Sequence, residues 1–366
     1  MKHLTLGFIG LGLIGGSIAK ALRAADPKTT IIAYDINKDS LSLAKEEGIA
    51  DTITLSIDAS FATCDYIFLC APVSENDENL KILKKFLSSS CILTDVGSVK
   101  SGIHRHIDEL GLSGQFIGGH PMAGSERFGY VNSKAILLEN AYYILTPSDS
   151  VPAEKVVHFR ELVSSMGAIP LVLDAELHDY VTAAISHLPH ITASSLVNLV
   201  KDSDSKDGIM KMIAAGGFKD ITRIASSSPE MWQQICLTNT ENIASLLDTY
   251  IEALTLIKEK LREKDSQFLY RFFDEARIYR DSFIETSSGP IKKSYSITID
   301  IVDETGALAS IATMLALNNI SIKNIGIVHN RELEEGALRI EFYEEAAIKT
   351  AGEILKSRGY TIHEKK

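Results

Sequence analysis

Small residues surround a single histidine in the segment Gly118-Gly119-His120-Pro121-Met122-Ala123-Gly124-Ser125-Glu126. Imidazole exchanges a proton more readily near neutral pH than any other side chain. The glycines and the proline predict a tightly folded backbone that holds the ring in a fixed place. His120 is therefore the first candidate for a general base. The alternative is a surface turn whose histidine is incidental.

A glycine-rich turn near the N-terminus follows a short apolar strand, Leu4 to Ile9, and begins a helix. The turn is Gly10-Leu11-Gly12-Leu13-Ile14-Gly15, and Asp35 ends the next apolar strand 20 positions after Gly15. This order is typical of a dinucleotide-binding unit, in which the turn approaches the pyrophosphate and the helix N-terminus donates N–H groups to it. The alternative is a glycine-rich turn of some other α/β fold.

The acidic residue at the end of that second strand bears on the choice of cofactor. A carboxylate at Asp35 would accept hydrogen bonds from the ribose hydroxyls and would repel a 2′-phosphate. NAD is therefore expected rather than NADP. Lys38, three residues later, is the one nearby feature that would favour the phosphorylated form.

Strands and helices continue to alternate up to residue 173, which predicts a first domain of residues 1–173. Further strands are predicted at 53–54, 66–70, 91–95, 141–146 and 170–173, with helices at 75–87 and 153–166. Because parallel strands direct their carboxyl ends toward the cofactor crevice, the loop Ala71-Pro72-Val73 and the segment 95–100 are expected on one rim with His120. Ser98 on this rim could either bond to a substrate or cap a helix.

Residues 174–285 are predicted to form a separate helical domain, which begins with one long helix to about residue 200. Asp179 and His190 are eleven residues apart, close to three helical turns, so they are expected on one stripe. His187 is a further candidate one turn before His190, and Pro189 between them should weaken or kink the helix. Two histidines could bind a metal, but no third ligand is visible, so no metal site is predicted.

A glycine pair, an arginine and the sole tryptophan follow in this region. Gly217 and its neighbour Gly216 predict a close approach of the backbone to another group. Arg223 could fork onto a substrate carboxylate, or it could form a surface salt bridge. Trp232 lies in the first turn of a helix, where packing is the default role. The apolar spacing that follows is long for one small domain and predicts a homodimer with a shared helical core.

Composition narrows the class of protein. The chain is 45% hydrophobic and carries a formal net charge of -11, which argues against nucleic acid or an anionic membrane surface as the main partner. The glycine turn explains an N-terminal apolar stretch that could pass for a signal peptide, and no other apolar run reaches the roughly 20 residues that span a bilayer. The four cysteines, which lack metal-binding spacing, are expected to be buried free thiols, as is usual in a reducing cytosol. A cytoplasmic location is therefore expected. The cysteines are Cys64, Cys70, Cys91 and Cys236.

Five segments taken together resemble the prephenate/arogenate dehydrogenase family over residues 1 to about 285. They are residues 10–17, 95–100, 118–126, 186–190 and 216–225. The resemblance implies a Rossmann-type α/β dinucleotide-binding domain and an all-α dimerisation domain. It also implies NAD-dependent oxidative decarboxylation of prephenate to 4-hydroxyphenylpyruvate, a step toward tyrosine.

The same resemblance implies roles for individual residues. His120 would take the proton of the ring hydroxyl of the substrate. Ser98 would help to hold that hydroxyl and the His120 side chain in place. Arg223 and His190 would meet the carboxylates of the substrate. The other residues expected around the substrate are Trp232 from the partner subunit, Asp179 and Glu126 as gating residues, and His187 and Gly217.

The residue chemistry suits that reaction. Loss of a hydride and of carbon dioxide leaves an aromatic ring, so the protein need only bind a dianion, orient one C–H bond and accept one proton. Three alternatives stay open: arogenate, which has an amino group where prephenate has a keto group; another two-domain hydroxyacid-type dehydrogenase; and a non-enzymatic regulator. Dehydrogenases of the hydroxyacid type usually rely on a lysine of the helical domain, whereas the candidate here is His120.

Residues 291–366, beyond a short linker at 286–290, are predicted to form a βαββαβ unit of the ferredoxin-like type. This unit resembles an ACT domain, an amino-acid-sensing module attached to many biosynthetic enzymes, because Asp303-Glu304-Thr305-Gly306-Ala307-Leu308 stands at its first strand-to-helix turn. The expected effector contacts are Asp303, Gly306, Ala307 and Leu308. Tyrosine is the expected effector, through feedback inhibition. The alternative is a module that only strengthens the dimer.

Overall fold

The structure, a computed structural model, describes residues 3–124, 127–285, 295–301, 305–328 and 336–363. The chain forms two compact units, Met1–Glu275 and Ala276–Lys366, and each is described by itself. Three predictions lie outside the described residues: the gating role of Glu126, the linker at 286–290 and the effector contact of Asp303. No helix in the described ranges has both the length and the apolar character needed to cross a bilayer.

Five parallel strands form the central sheet of the first unit, in the order β3-β2-β1-β4-β5. The strands are β1 Thr5–Ile9, β2 Thr30–Tyr34, β3 Thr52–Thr54, β4 Tyr66–Leu69 and β5 Ile92–Asp95. The helices between them are α1 Leu13–Ala25, α2 Lys38–Glu46, α3 Val73–Leu83 and α4 Ser101–Glu109. The predicted Rossmann-type arrangement is confirmed. Val73, which was expected in a loop, is the first residue of α3.

Both faces of this sheet are buried, which explains why its strands are almost wholly apolar. Phe8 and Phe68 stack at 5.0 Å between ring centroids in the core that also contains residues of α1. Ile9 and Leu69, the next residue of each strand, point to the other face and pack in a core with residues of α3 and α4.

A smaller sheet in the order β6-β7-β8 extends the central one. Its strands are β6 Ile117–Pro121, β7 Tyr142–Pro147 and β8 Ile169–Val172, and α5 Ala153–Ser165 precedes β8. β6 is antiparallel to β7, and a parallel bridge between Leu93 and Phe116 sets it beside β5. His120 therefore lies within a strand, and the prediction of a tightly folded loop around it is wrong.

From Ala175 to Glu285 the chain is mainly helical. The helices are α6 Ala175–Thr182, α7 Leu188–Ser203, α8 Ile209–Ile213, α9 Gly216–Thr222, α10 Pro229–Thr238, α11 Thr240–Glu263 and α12 Ser266–Glu285. The long apolar stretch after Trp232 is a pair of helices, α10 and α11, that meet at Asn239.

The predicted single helix from 175 to 200 is interrupted by a π-helical turn over Ala183–His187. Pro189 accounts for the interruption, because proline has no N–H and its ring crowds the preceding turn. The N–H of Leu188 instead bonds to the carbonyl of Ala183, five residues earlier. Asp179 and His190 consequently do not follow one regular helical stripe.

The second unit contains four antiparallel strands in the order β10-β11-β9-β12. Its elements are β9 Tyr295–Ile301, α13 Ala307–Leu317, β10 Ile322–Val328, β11 Gly336–Phe342, α14 Glu345–Ser357 and β12 Ile362–His363. Apolar residues of β9, β11 and both helices form its core. The βαββαβ order and the strand arrangement are ferredoxin-like.

Candidate active site

Close packing of two glycines fixes the position of His120 on β6. A Cβ atom at Gly119 would lie 2.6 Å from the carbonyl oxygen of Asp95, and one at Gly118 would lie 2.3 Å from Oγ1 of Thr146. The glycines are therefore needed for close contact between strands rather than for a turn. The N–H of Gly119 also donates to Oδ1 of Asp95 at 3.1 Å. His120 is thus held beside the carboxyl end of β5.

The imidazole of His120 is the end of a hydrogen-bonded chain of three side chains. Its Nδ1 lies 2.8 Å from Nε2 of His178, and Nδ1 of His178 lies 2.8 Å from Oδ1 of Asp179. His178 and Asp179 are 0% and 1% exposed, so this series of hydrogen bonds runs through the protein interior from α6 to β6. His178 could not be singled out from local sequence, because its contact with His120 spans 58 positions.

Asp179 lies behind His120 and not at the mouth of a pocket. Its Oδ1 accepts from the N–H of Lys100 at 2.7 Å, and its Oδ2 accepts from the N–H of Ser101 at 2.8 Å. Burial raises the pKa of Asp179, but the hydrogen bonds from His178, Ser101 and Lys100 outweigh this and hold the pKa below its ordinary value. These contacts do not suit the gating role that the resemblance implied.

The same two bonds cap the N-terminus of α4 with a carboxylate from another part of the chain. Ser98 does not occupy the capping position, which belongs to Lys100. Ser98 instead lies half-buried on the rim between β5 and α4. The capping role considered for Ser98 is therefore wrong, and its contact with a substrate stays a prediction.

A buried ion pair lies beneath β6. Nζ of Lys100 hydrogen-bonds to the carboxylate of Asp95 and, at 2.7 Å, to the carbonyl of Gly119. Lys100 is completely buried. Burial lowers the pKa of its ammonium group below the ordinary value, and the charge of Asp95 opposes that shift. Both residues were expected on the rim, but their ion pair, which couples β6 to β5, was not predicted from the sequence.

The surroundings of His120 keep its imidazole neutral. Burial lowers its pKa well below the ordinary value, and the positive charge of the neighbouring Lys100 lowers it further. Asp179 acts in the opposite direction but does not reverse the shift. A neutral ring at pH 7 can accept a proton, which is the property that a general base requires.

His187 and His190 lie near Trp232 of the same chain. The His190 ring stacks on Trp232 at 3.7 Å between centroids, and the His187 ring meets it edge-on at 5.9 Å. Nδ1 of His190 donates to the carbonyl of Ser186 at 2.9 Å, which leaves its Nε2 available. Within its own chain the Trp232 ring packs against both histidines, and its expected approach to the pocket of a partner subunit stays a prediction.

Burial also sets the charge state of these histidines. It lowers the pKa of His187 to about 4, and together with the nearby Arg223 it lowers the pKa of His190. Nδ2 of Asn239 lies 3.2 Å from Nδ1 of His187, and it donates a hydrogen bond to the backbone carbonyl of Asp179 at 2.8 Å. This asparagine was not singled out from the sequence. It connects His187 to Asp179, which belongs to the hydrogen-bonded series behind His120.

An open cavity of about 410 Å³ adjoins His190 and Trp232. The buried Nε1 of Trp232 has no hydrogen-bond partner among the described residues. Arg223 is exposed and close enough to influence His190 electrostatically. A Cβ atom at Gly217 would meet no atom within 4 Å, so among the described residues no close approach of another backbone explains the glycine pair.

The glycine turn has the shape that a dinucleotide requires. A Cβ atom at Gly10, where φ is +97°, would lie 2.6 Å from the backbone nitrogen of Ala71, and one at Gly15 would lie 2.5 Å from the carbonyl of Gly10. At Gly12, in contrast, a Cβ atom would meet nothing within 4 Å. The turn is thus tightly packed at Gly10 and Gly15 and open at Gly12, next to the N-terminus of α1, whose first N–H groups have no partner within the helix.

Asp35 lies next to this opening. Its Oδ2 accepts from the N–H of Leu11, and its Oδ1 accepts from the N–H of Asn37 at 2.7 Å. The carboxylate therefore holds the turn against the end of β2 and retains acceptor capacity for a sugar hydroxyl. Ala71 borders the turn beyond the end of β4, and Pro72 follows it as the N-cap of α3.

Comparison with known proteins agrees with this geometry. Residues 18–171 match the family profile "Prephenate dehydrogenase, nucleotide-binding domain", and residues 174–275 match "Prephenate dehydrogenase, dimerization domain". The prephenate dehydrogenase of Bacillus subtilis is 37% identical over 97% of this chain and 96% of its own length. The chain belongs to the prephenate dehydrogenase family.

Solved structures of this family superpose on most of the chain. The prephenate dehydrogenase of Aquifex aeolicus, in complex with hydroxyphenyl propionate and NAD⁺, is 34% identical, covers 77% of this chain and 99% of its own, and gives a TM-score of 0.73. The arogenate dehydrogenase of Synechocystis is 28% identical, covers 76% of this chain and all of its own, and gives a TM-score of 0.70. Membership confirms the resemblance that the five sequence segments carried.

Proposed function

We propose that this protein catalyses the NAD-dependent oxidative decarboxylation of prephenate to 4-hydroxyphenylpyruvate. The observation that carries the proposal is a neutral imidazole, His120, held at the same sheet edge as an open dinucleotide turn. The full-length similarity to a curated prephenate dehydrogenase supports the same activity. Arogenate is the alternative substrate, because one of the similar solved structures is that of an arogenate dehydrogenase.

The residues of the first sheet would hold NAD. The unpaired N–H groups at the start of α1 would donate to the pyrophosphate, and Asp35 would accept from the ribose. When bound, NAD accepts the hydride that the substrate ring loses. The charge of Asp35 disfavours a 2′-phosphate at this position, which supports NAD over NADP.

His120 would accept the proton of the ring hydroxyl at its free ring nitrogen. Ser98 on the adjoining rim would hold the hydroxyl in place. His190 and Arg223 would bind the two carboxylates, and the unpaired N–H of Trp232 offers one more donor beside them. His187, which meets Trp232 edge-on, and Gly217, the second residue of α9, are proposed as further substrate contacts.

An absorbance assay of the reduced nicotinamide tests the substrate and the cofactor together. Prephenate and arogenate are each combined with NAD and with NADP, and kcat/KM is measured for the four pairs. We expect prephenate with NAD to give the highest value. A higher value with arogenate would reassign the substrate, and no reduction with either substrate would refute the proposed reaction.

We also propose that the protein is a homodimer built through the helices of residues 174–285. The family profile that matches this region is that of a dimerization domain. Several large apolar side chains of α10 and α11 are exposed in the single chain, among them Leu237, Ile251, Leu254 and Leu261. Light scattering of the purified protein should give twice the 40.0 kDa of one chain.

For residues 291–366 we propose an ACT domain that binds tyrosine. The ferredoxin-like topology supports this assignment, as does Gly306, whose φ of +94° forms the turn into α13 where Ala307 and Leu308 begin the helix. Tyrosine at millimolar concentration is expected to lower the rate and to raise the melting temperature. If both are insensitive to tyrosine, a role in strengthening the dimer is the better account.

The compartment that we propose is the cytoplasm. All four cysteines are free thiols, which is usual in a reducing environment. The net charge of the protein is -11, which would repel nucleic acid and anionic membranes. We therefore propose neither as a partner.

A further inference from the structure

We infer that His178 and Asp179 are positioning residues that hold His120 in one tautomer, with Nε2 as the proton-accepting nitrogen. The inference rests on the proposed role of His120 as the proton acceptor. It concerns how the protein determines which of the two ring nitrogens does that work.

The direction of the hydrogen bonds follows from Asp179. Both of its oxygens receive backbone N–H groups, from Lys100 and Ser101, and an N–H can only donate. A carboxylate so placed is an acceptor. Nδ1 of His178, 2.8 Å away, must therefore carry the proton and donate it to the carboxylate.

This protonation determines the state of the next ring. A neutral His178 that carries its proton on Nδ1 presents a lone pair at Nε2. Nδ1 of His120, 2.8 Å from that lone pair, must then be the donor. The remaining nitrogen of His120, Nε2, is left without a proton and is able to accept one.

The pair is held rigidly enough to impose this choice. His178 and Asp179 are both buried, and the Asp179 carboxylate is fixed by the N-terminus of α4. The side chain of Asn239 donates to the carbonyl of Asp179 at 2.8 Å, and the hydroxyl of Thr182 donates to the carbonyl of His178 at 2.9 Å. The charged and titratable groups that act on His120 are Lys100, His178, His187 and Asp179.

Nuclear magnetic resonance of the full-length protein with ¹⁵N-labelled histidine tests the tautomer directly. The His120 signals are assigned from their loss in His120→Asn. We expect Nδ1 of His120 to be protonated and Nε2 to be unprotonated at pH 7. A proton on Nε2, as an imidazolium at His178 would impose, overturns the inference whether or not the enzyme acts on prephenate.

Two substitutions at position 178 test the consequence for catalysis. His178→Gln retains an amide oxygen that can accept from Nδ1 of His120, whereas His178→Phe fills the space without an acceptor. We expect kcat to fall about 10²-fold in His178→Phe and about 10-fold or less in His178→Gln, with KM for prephenate changed little in both. His120 in His178→Phe should show a mixture of tautomers.

The control applies the same two substitutions to His158, an exposed histidine of α5. His158→Gln and His158→Phe should leave kcat and the His120 signals unchanged. Equal kcat in His178→Gln and His178→Phe, or a loss confined to KM, overturns the inference. If a His178 variant does not fold, the tautomer of the wild-type protein still decides. Wild-type protein without activity on prephenate would refute the proposed function alone.

Discussion

The carboxylate of Asp179 accepts a hydrogen bond from the backbone N–H of Ser101 at 2.8 Å, across 78 positions of sequence. One residue of α6 therefore both caps α4 and orients His178 behind His120. The helical part of the first unit and its dinucleotide-binding part share this carboxylate. We expect local stability and site geometry to depend on it together.

The first prediction concerns stability. Asp179→Asn should lower the free energy of unfolding by about 1 to 3 kcal/mol at pH 7, because an amide cannot accept both backbone N–H groups and His178. The folded pKa of Asp179 lies below its ordinary value, so its contribution is present above about pH 4 and is lost as the pH falls through the folded pKa. The difference between the variant and wild type should therefore shrink at acidic pH.

Urea denaturation at several pH values between 7 and 3 measures this difference. Asp207→Asn, at an exposed position, provides the matched control and should change the free energy of unfolding by less than about 0.5 kcal/mol. A difference for Asp179→Asn that stays constant down to pH 3 would contradict the assignment of an ionised, hydrogen-bonded carboxylate.

The second prediction concerns the pH profile of catalysis. The pKa of His120 is held well below the ordinary value of a histidine, so the base is already neutral at mildly acidic pH. We expect kcat/KM to stay level as the pH drops from 7 to 6.5 and to fall only at a lower pH. His120→Asn should lower kcat about 10² to 10⁴-fold and remove that acidic limb. A limb centred at or above pH 6.5 in the wild-type enzyme would be inconsistent with this environment.

Sequence reasoning was most successful where local pattern determines structure. The glycine turn, Asp35 and the apolar strands are read from short segments, because a doubly wound sheet buries both faces and repeats a strand-helix unit. The family membership followed from such segments and is confirmed. Asp179 was singled out for its spacing from His190, but its observed contacts are with α4 and His178.

Contacts between distant parts of the chain could not be read in this way. His178 meets His120 only because α6 packs against α4 and β7, next to β6, and Lys100 reaches Gly119 only because β6 lies beside β5. The prediction of a tight turn at Gly119 was wrong for a related reason. Glycine permits both a tight turn and a close approach of two strands, and the sequence of one strand does not reveal what packs against it.

The third prediction concerns this close approach. Gly119→Ala should destabilise the protein by about 1 to 3 kcal/mol and reduce kcat, because its Cβ would lie 2.6 Å from the backbone oxygen of Asp95 and would push β6 and His120 outward. Thermal unfolding and steady-state kinetics measure both effects. Gly124→Ala is the matched control, since a Cβ at Gly124 meets no atom within 4 Å in the part of the chain that the structure describes. Equal stability of the two variants would mean that β6 is not tightly held.

The fourth prediction separates cofactor binding from folding at Gly12. Its φ is -78°, which alanine adopts without strain, and a Cβ there would meet no protein atom within 4 Å. Gly12→Ala should therefore leave the melting temperature unchanged. The new methyl group would occupy the space that the pyrophosphate needs, so KM for NAD should rise about tenfold or more, which corresponds to about 1.4 kcal/mol of binding.

Titration of the Gly12→Ala protein with NAD, followed by calorimetry, checks the affinity independently of turnover. Gly102→Ala is the control, because its Cβ also meets no atom of the described residues within 4 Å and it belongs to α4 rather than to the glycine turn. That control should bind NAD as the wild type does. An unchanged affinity in Gly12→Ala would show that the pyrophosphate does not approach this side of the turn.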